Sequence, residues 1–433
     1  MSETIAVIIF LSTLFILLGL GVWVGAALLT TAIVGMWLFT STPIGDAMAV
    51  TIWSEQSSWT LTALPLFIWM GEILFRTKLS ETLFKGLAPF LRGLPGGLLH
   101  VNVGASAVFA AISGSSAATV ATVGKMSIPE LRARNYPEHM IIGTLSGAGT
   151  LGLLIPPSIS MIIYGVTVNE SISKLFMAAM IPGLCLALFF MVYIVIWSLI
   201  NRGTFNPIID TVDTESFAKR MMDLLPVLFL IGGVIGSIYT GIATATEAAA
   251  LGVLGAILLS LVQRSFTWQN LTDSIMGSVR TTAMIMLILM GAGFLSLAMG
   301  FTGIPRALAE TIGDWNLSPL SLIVILTVFY IILGCFLDGL SSIVLTMAVI
   351  QPMVQAAGFD MLWFGVYLMI VVEMAQITPP IGFNLFVLQG MTGRDIGFIS
   401  KASFPMFCVM GVFIVFLFMF PGLATWLPQA LSK

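Results

Sequence analysis

Apolar residues along this chain fall into long blocks separated by short polar stretches. No Asp, Glu, Lys or Arg occurs from Thr4 to Gly45, from Gly339 to Phe359 or from Ala402 to Ser432. A helix that crosses a bilayer needs only about 20 apolar residues. The pattern predicts spans at 5–20, 22–39, 61–75, 98–128, 139–168, 175–200, 224–241, 246–263, 281–299, 318–356, 362–389 and 402–427. Four of these are interrupted. The stretch 98–128 is broken at ISGSSAAT (Ile112 to Thr119), and 318–356 at LDGLSSI (Leu337 to Ile343). Each half is then about 15 residues, roughly 22 Å of helix against a hydrocarbon core of about 30 Å. Such halves fit a re-entrant hairpin that dips to mid-membrane and returns to the same side. Non-helical backbone at that depth has to be buried in protein or line a polar cavity. The other two interruptions are the double prolines of LLIPPSISM (Leu153 to Met161) and QITPPIGFN (Gln376 to Asn384), where one half-helix ends and another begins.

These interruptions repeat. GSSAATVATVGKMSIPEL precedes the IPP break, and DGLSSIVLTMAVIQPMV precedes the TPP break; Pro156 and Pro379 stand the same distance apart as Pro129 and Pro352. Pro/Gly-interrupted segments at matching positions of two halves point to a transporter binding site. The chain then divides into scaffold helices (1–60), a first repeat (61–200) with hairpin 98–128 and broken helix 139–168, and a polar cytoplasmic linker (201–223). More scaffold (224–280) and a second repeat (281–433) with hairpin 318–356 and broken helix 362–389 follow. Charge placement orients them. If the first hairpin opens to the cytoplasm, only Lys174, Arg306 and Lys433 of the 17 Lys and Arg fall outside, as the positive-inside rule requires. The second hairpin then opens outward, so the repeats are inverted and both termini face out. Segments 79–92 and 302–315 mix apolar and charged residues at helical spacing and read as interfacial helices.

Composition agrees: 58% of the 433 residues are hydrophobic and 9% are charged, against roughly 25% charged in soluble domains. The fold class is an all-α polytopic membrane protein lying in a lipid bilayer. The net charge of −3 gives no sign of nucleic acid. MSETIAVIIF has no basic n-region, so the first helix is expected to be retained and not cleaved as a signal peptide. Cys185, Cys335 and Cys408 all lie in apolar stretches and read as small hydrophobes.

The chemistry-bearing residues gather at the interruptions. The first tip offers Ser113, Gly114, Ser115, Ser116 and Thr119, and the second Asp338, Gly339, Ser341 and Ser342. Their hydroxyl and carbonyl oxygens are hard ligands suited to an alkali cation, while the half-helix N-terminus that follows attracts an anion. Small residues also pack membrane helices, so one tip alone says little; two matched tips say more. The broken spans add Gly147, Gly149, Thr150, Ser158 and Ser160, then Glu373, Gln376, Thr378 and Asn384. Asp338 and Glu373 are ionisable groups at membrane depth, where function is the default reading; the bland reading of Glu373 is a carboxyl bonded to a nearby loop. Thr244 and Glu247 read as a capping box, and Glu72 is placed to pair with Arg76. Sodium would be held by Ser115, Ser116, Gly147, Gly149, Asp338, Gly339, Ser341, Glu373 and Thr378, and substrate by Ser113, Ser116, Thr119, Ser342 and Asn384. Enzymatic signatures are missing: there is no HExxH and no GxxxxGK[ST], and no base stands by a nucleophilic serine. A channel is the competing reading, but broken helices in inverted repeats suit alternating access better than a continuous pore.

AISGSSAATVATVGKMSIPEL, GTLSGAGTLGLLIPPSISMIIYGV with SISKLFMAAMIPGL, TATEAAA and QITPPIGFNLFV together resemble the large membrane subunit of tripartite ATP-independent periplasmic (TRAP) transporters. The resemblance covers nearly the whole chain. It implies a bacterial inner-membrane secondary transporter of the ion-transporter type, driven by sodium as coupling ion and without other cofactors. A mobile elevator domain carrying both hairpins would slide against a scaffold. It also implies a small membrane subunit of a few helices and a periplasmic substrate-binding protein that delivers a small organic anion, usually a carboxylate. On this resemblance the chain is expected to start at the large subunit's first helix, as in unfused versions. Some relatives place an acidic residue near Thr119 and this chain does not, which leaves C4-dicarboxylates, sialic acid, other sugar acids and compatible solutes open.

Overall fold

The apolar blocks fold as helices because each backbone N–H and C=O in a bilayer needs a partner within its own segment. The computed structural model describes residues 3–76, 86–91, 93–201, 217–303, 318–334, 337–379 and 382–431, and all regular structure among them is helical. Helices α1 (Glu3–Gly19), α2 (Val24–Phe39), α3 (Ile44–Gln56) and α4 (Ala63–Phe75) open the chain. The first hairpin is α5 (Leu99–Ser113) and α6 (Ser116–Ala133). The first broken span is α7 (Glu138–Gly149), α8 (Leu151–Leu154) and α9 (Ile159–Val168), bent by 42° at the double proline. Then come α10 (Ile172–Ile200), α11 (Phe217–Tyr239), α12 (Ala245–Val262) and α13 (Trp268–Thr302). The second hairpin is α14 (Pro319–Gly334) and α15 (Gly339–Ala356), and the second broken span is α16 (Met361–Gln376) and α17 (Phe383–Thr392). Helices α18 (Ile396–Met419) and α19 (Gly422–Leu431) close the described part.

Several boundaries differ from the sequence expectation, each for a visible reason. Helix α3 was not expected; it is only 13 residues long and Asp46 in its first turn dilutes its apolar pattern. Helix α6 runs past 128 through Pro129 to Ala133, with Ile128 and Leu131 buried on either side of the proline. A proline forfeits one backbone bond but need not stop a helix held by packing. Helix α13 extends far beyond 281–299 because Thr267 caps it, accepting from Asn270 N at 3.0 Å; its polar first turns interrupted the apolar pattern, not the helix. The block 402–427 is two helices, since α18 ends at Met419 ahead of Pro421. The second arm of the second hairpin, α15, is 18 residues, longer than the half-span expected. Of the interfacial segments, 86–91 is helical, while the rest of 79–92 and residues 304–315 lie outside the described residues, as does 202–216 of the linker. Helix α11 already starts at Phe217, inside the expected linker.

The helices sort by what they touch. Helix α13 packs along α2, α3 and α4, and α12 packs on α4. The α2–α13 crossing is backbone against backbone: a Cβ on Gly25 would lie 2.6 Å from the Leu287 carbonyl oxygen, and one on Gly291 would lie 2.6 Å from the Gly25 carbonyl oxygen. Small residues of this kind let membrane helices approach closely. The hairpins and broken spans pack mainly on one another, together with α10 and α18. Polar ties cross within each half: Asn102 donates to Thr144 at 3.0 Å between α5 and α7, and Thr327 shares a 2.7 Å hydrogen bond with Tyr367 between α14 and α16. At the end of the bundle read as cytoplasmic, Arg132 pairs with Glu138 and donates to the Thr392 carbonyl at 3.4 Å, and Arg394 stands 3.6 Å from Glu138. That cluster fastens the end of the first hairpin to the turn after α17. Glu72 pairs with Arg76 at 2.6 Å, and Thr244 with Glu247 forms the capping box, both as the sequence suggested.

Gly291→Val should destabilise the detergent-solubilised protein by about 1–3 kcal/mol, the usual cost of overpacking, whereas Gly232→Val on an open face should not. Thermal unfolding of the two variants measures the difference.

Candidate substrate and ion site

The first tip is a closed set of short bonds. Gly114 ends α5 in the left-handed region (φ 57°), which a glycine adopts without penalty, and Ser115 caps α6, accepting from Ala118 N at 3.5 Å. Ser113 and Thr119 share a 2.9 Å hydrogen bond, and Thr119 also donates to the Ser115 carbonyl at 2.8 Å. At the second tip Asp338 occupies the matching cap, separated from Ser115 by the same interval that separates Pro156 from Pro379. Its carboxylate accepts from Leu340 N at 3.1 Å, from Ser341 N at 3.3 Å and from the Ser341 hydroxyl, while Ser342 donates to the Asp338 carbonyl at 2.9 Å. An acidic cap suits the positive end of a helix.

The breaks use hydroxyls in the same way. Ser158 caps α9, accepting from Met161 N at 3.4 Å, and donates to the Leu153 carbonyl at 2.5 Å. Thr150 donates to the Gly147 carbonyl at 2.5 Å, and Thr378 to the Met374 carbonyl at 2.7 Å. Pro380 lies outside the described residues, and the chain resumes at Gly382, whose N–H donates to the Thr378 carbonyl at 3.0 Å.

Tips and breaks converge. A Cβ on Gly152 would fall 2.6 Å from the Ser115 carbonyl oxygen, so the first tip rests directly on α8. A Cβ on Gly149 would collide with Val120 of α6, whereas one on Gly147 would meet Met406 of α18; these two expected sodium ligands face different neighbours. A Cβ on Gly339 would meet Val372 at 2.8 Å, Leu153 at 3.3 Å and the Gln376 amide nitrogen at 3.8 Å, which sets the second tip against both broken spans. Ser116 donates to Asn384 Oδ1 at 3.4 Å, joining the first hairpin to α17 of the second half. Glu373 is 1% exposed, and the Ser116 side chain and Leu153 backbone face its carboxyl. Neither group reaches hydrogen-bonding geometry: both carboxyl oxygens lack a partner, as do Gln376 Nε2 and Asn384 Nδ2.

All the expected site residues lie on the two tips and two broken spans. Two contributors escaped the sequence reading: Gly152, whose missing side chain admits the first tip, and Leu153, which stands beside Gly339 of the second tip and whose backbone faces Glu373. Their only sequence signal is the small-residue run GAGTLGLL. Neither histidine joins the site. His100 is buried and donates from Nε2 to the Pro95 carbonyl at 2.9 Å, and His139 packs edge-on against Trp197.

A helical membrane bundle whose two hairpin tips meet two interrupted spans in a buried polar junction is a transporter of the broken-helix class. The family profile described as "Tripartite ATP-independent periplasmic transporter, DctM component" matches residues 11–423, and the chain belongs to that family. It is 30% identical over 388 residues to the C4-dicarboxylate TRAP transporter large permease protein DctM of Pseudomonas aeruginosa, covering 89% of this chain and 90% of that one. Identity to the sialic acid TRAP transporter large permease protein SiaM of Vibrio cholerae is also 30%, over 95% of this chain and 96% of the relative. It is 31% identical to the isethionate TRAP transporter permease protein DctMQ of Oleidesulfovibrio alaskensis over 92% of this chain, but the match spans only 62% of that longer protein. Among solved structures, the Alcanivorax borkumensis YdaH transporter superposes with a TM-score of 0.65 over 92% of this chain and 97% of its own, at 14% identity, a likeness in fold alone. The protein is thus a multi-pass inner-membrane permease subunit and not an enzyme.

Gly152→Ala should push the first tip away from α8 and speed hydrogen exchange of the amides from Ser115 to Thr119. Gly236→Ala, where a Cβ meets nothing within 4 Å, should leave that exchange unchanged.

Proposed function

We propose that the chain is the large subunit of a sodium-coupled importer of a small organic acid, working by an elevator movement. The observation that carries this reading is the convergence of both tips and both breaks through Ser116, Asn384, Gly152 and Gly339. Relatives named for C4-dicarboxylates, sialic acid, 2,3-diketo-L-gulonate and isethionate share one ligand property, a small organic anion. Every Lys and Arg of this chain lies near an interface in the topology read from its sequence, so an anion at the junction draws its positive field from helix N-termini. Each presents up to four free N–H groups and about half a positive charge. Sodium ions add full charges. One sodium position lies between the first tip and the first break, at Ser115, Ser116 and Gly149, and a second between the second tip and the second break, at Gly339, Ser341 and Thr378.

The two halves are inverted in the membrane with both termini periplasmic, and the helices around α2, α4, α12 and α13 form the scaffold. A small membrane subunit covers the outer apolar face of α1 and α2, where Ile8, Phe15, Ile16 and Trp37 are exposed. A periplasmic binding protein delivers the substrate.

In proteoliposomes holding the chain, its small subunit and a loaded binding protein, uptake should stop when choline replaces sodium; equal uptake in choline would reject sodium coupling. Ser116→Ala should lower transport about tenfold, roughly 1.4 kcal/mol, as expected for one hydrogen bond to a charged group.

A further inference from the structure

Helix α17 is the shortest of the helices that run from the polar junction to the end of the bundle read as cytoplasmic. It has 10 residues, about 15 Å, against 12 in α7, 15 in α5 and 18 in α6. Its main neighbour is α6 of the first hairpin, so the seam between these two helices is a short way out of the junction. Contacts run down the seam at three levels. At the junction Ser116 donates to Asn384 Oδ1 at 3.4 Å, and midway a Cβ on Gly124 would lie 3.0 Å from the Met391 methyl. At the end, Arg132 donates to the Thr392 carbonyl at 3.4 Å, and Arg394 Nε stands 3.6 Å from Glu138 Oε1. Asn384, Leu388 and Met391 share one face of α17 by helical spacing, and Leu388 is fully buried.

The bonds at the end are of two kinds. Arg132 and Glu138 belong to the same half and pair closely, with Arg132 Nε 3.1 Å from Glu138 Oε2. The contacts that cross the seam are the longer ones, and Arg394 is the side chain the second half brings to them. It is 53% exposed, and its guanidinium also lies 5.6 Å from the centre of the Phe398 ring in its own half. Arg132 and Glu138 are thus a fixed socket, which Arg394 and the carbonyl end of α17 enter. Cations suit that end of a helix. Water-exposed ion pairs give up little free energy on parting, so the fastening suits a closure that is made and broken.

The other half repeats the construction without the charge. There α9 packs on α15, Gln351 of α15 donates to the Val168 carbonyl at 3.4 Å, and Asn169 ends α9 in the left-handed region, as Gly393 ends α17. Among the described residues no ion pair crosses that seam. A half-helix held at its last carbonyls by the second arm of a hairpin is therefore common to both halves, and the charged clasp belongs to one.

We propose that the seam between α6 and α17 is the gate through which the junction opens at the Arg394 end, and that Arg394 is its clasp, a positioning residue that holds α17 against the first hairpin. The inference rests on the transport reading for what passes through the gate, while the opening itself is measurable without transport. The full chain in lipid vesicles, with Cys185, Cys335 and Cys408 replaced by alanine, would carry one reporter at a time. These are Leu388→Cys in the seam and Ala256→Cys, fully buried in α12 of the frame. A membrane-impermeant thiol reagent is then offered on the Arg394 face. Arg394→Gln should speed modification of the Leu388→Cys reporter about threefold, the scale of one part-exposed ion pair. Arg394→Lys, which keeps the charge, should return the slow rate, and the Ala256→Cys reporter should react alike in all three backgrounds. Equal rates at the seam with and without the arginine would overturn the proposal. So would faster modification of both reporters, which marks general loosening, and so would a fast rate in Arg394→Lys. If Leu388→Cys does not fold, Met391→Cys on the same face takes its place. A gate that opens as expected in a chain that, with its small subunit and a loaded binding protein, takes up no organic anion would defeat the transport reading and leave the gate standing.

Discussion

Every helix that stops inside a membrane frees backbone groups that lipid cannot satisfy, and this structure depends on how they are paired. At the interruptions hydroxyls bond the nearby carbonyls: Ser158 takes Leu153 O, and Thr119, Thr150, Ser342 and Thr378 add a second bond to Ser115 O, Gly147 O, Asp338 O and Met374 O, each of which also accepts a backbone N–H. The freed N–H groups go to the caps Ser115, Ser158 and Asp338. Serines and threonines at the tips are therefore structural before they are functional.

Satisfying the ends locally has an effect on the scale of the bundle. Once each tip and break is internally paired, they can be pressed together with few compensating charges, and glycine provides the fit at Gly152 and Gly339. The frame is built differently. At Gly25 and Gly291 two continuous helices touch backbone to backbone, with no polar group to satisfy at the contact. The protein thus combines a dry, close-packed frame with a junction full of hydroxyls, two mechanical characters in one chain.

Much of this was legible in the sequence because the interruptions are chemical events. Proline pairs, glycines and serine clusters in apolar blocks have few other uses, and the caps at Ser115 and Asp338 sit where the pattern placed the breaks. What stayed hidden was of two kinds. Boundaries masked by polar residues or tolerated prolines were misplaced, as at α3, α13 and Pro129. Long-range juxtaposition was invisible: nothing in the local pattern says that Ser116 meets Asn384, or that Glu373 faces the first half with no partner.

The Ser116 to Asn384 contact also bears on how the protein is made. Its two ends are 268 residues apart in the chain. At synthesis rates of about 5–20 residues per second, the first tip waits on the order of ten seconds or longer for the segment that completes it. During that interval the N-terminal half must hold its polar tip in the bilayer alone, with the Ser113, Ser115 and Thr119 bonds and the seat that Gly152 provides. The self-contained wiring of the tip is thus also a provision for biogenesis, since a half-made permease that exposed bare backbone to lipid would be a target for proteolysis before its second half arrived.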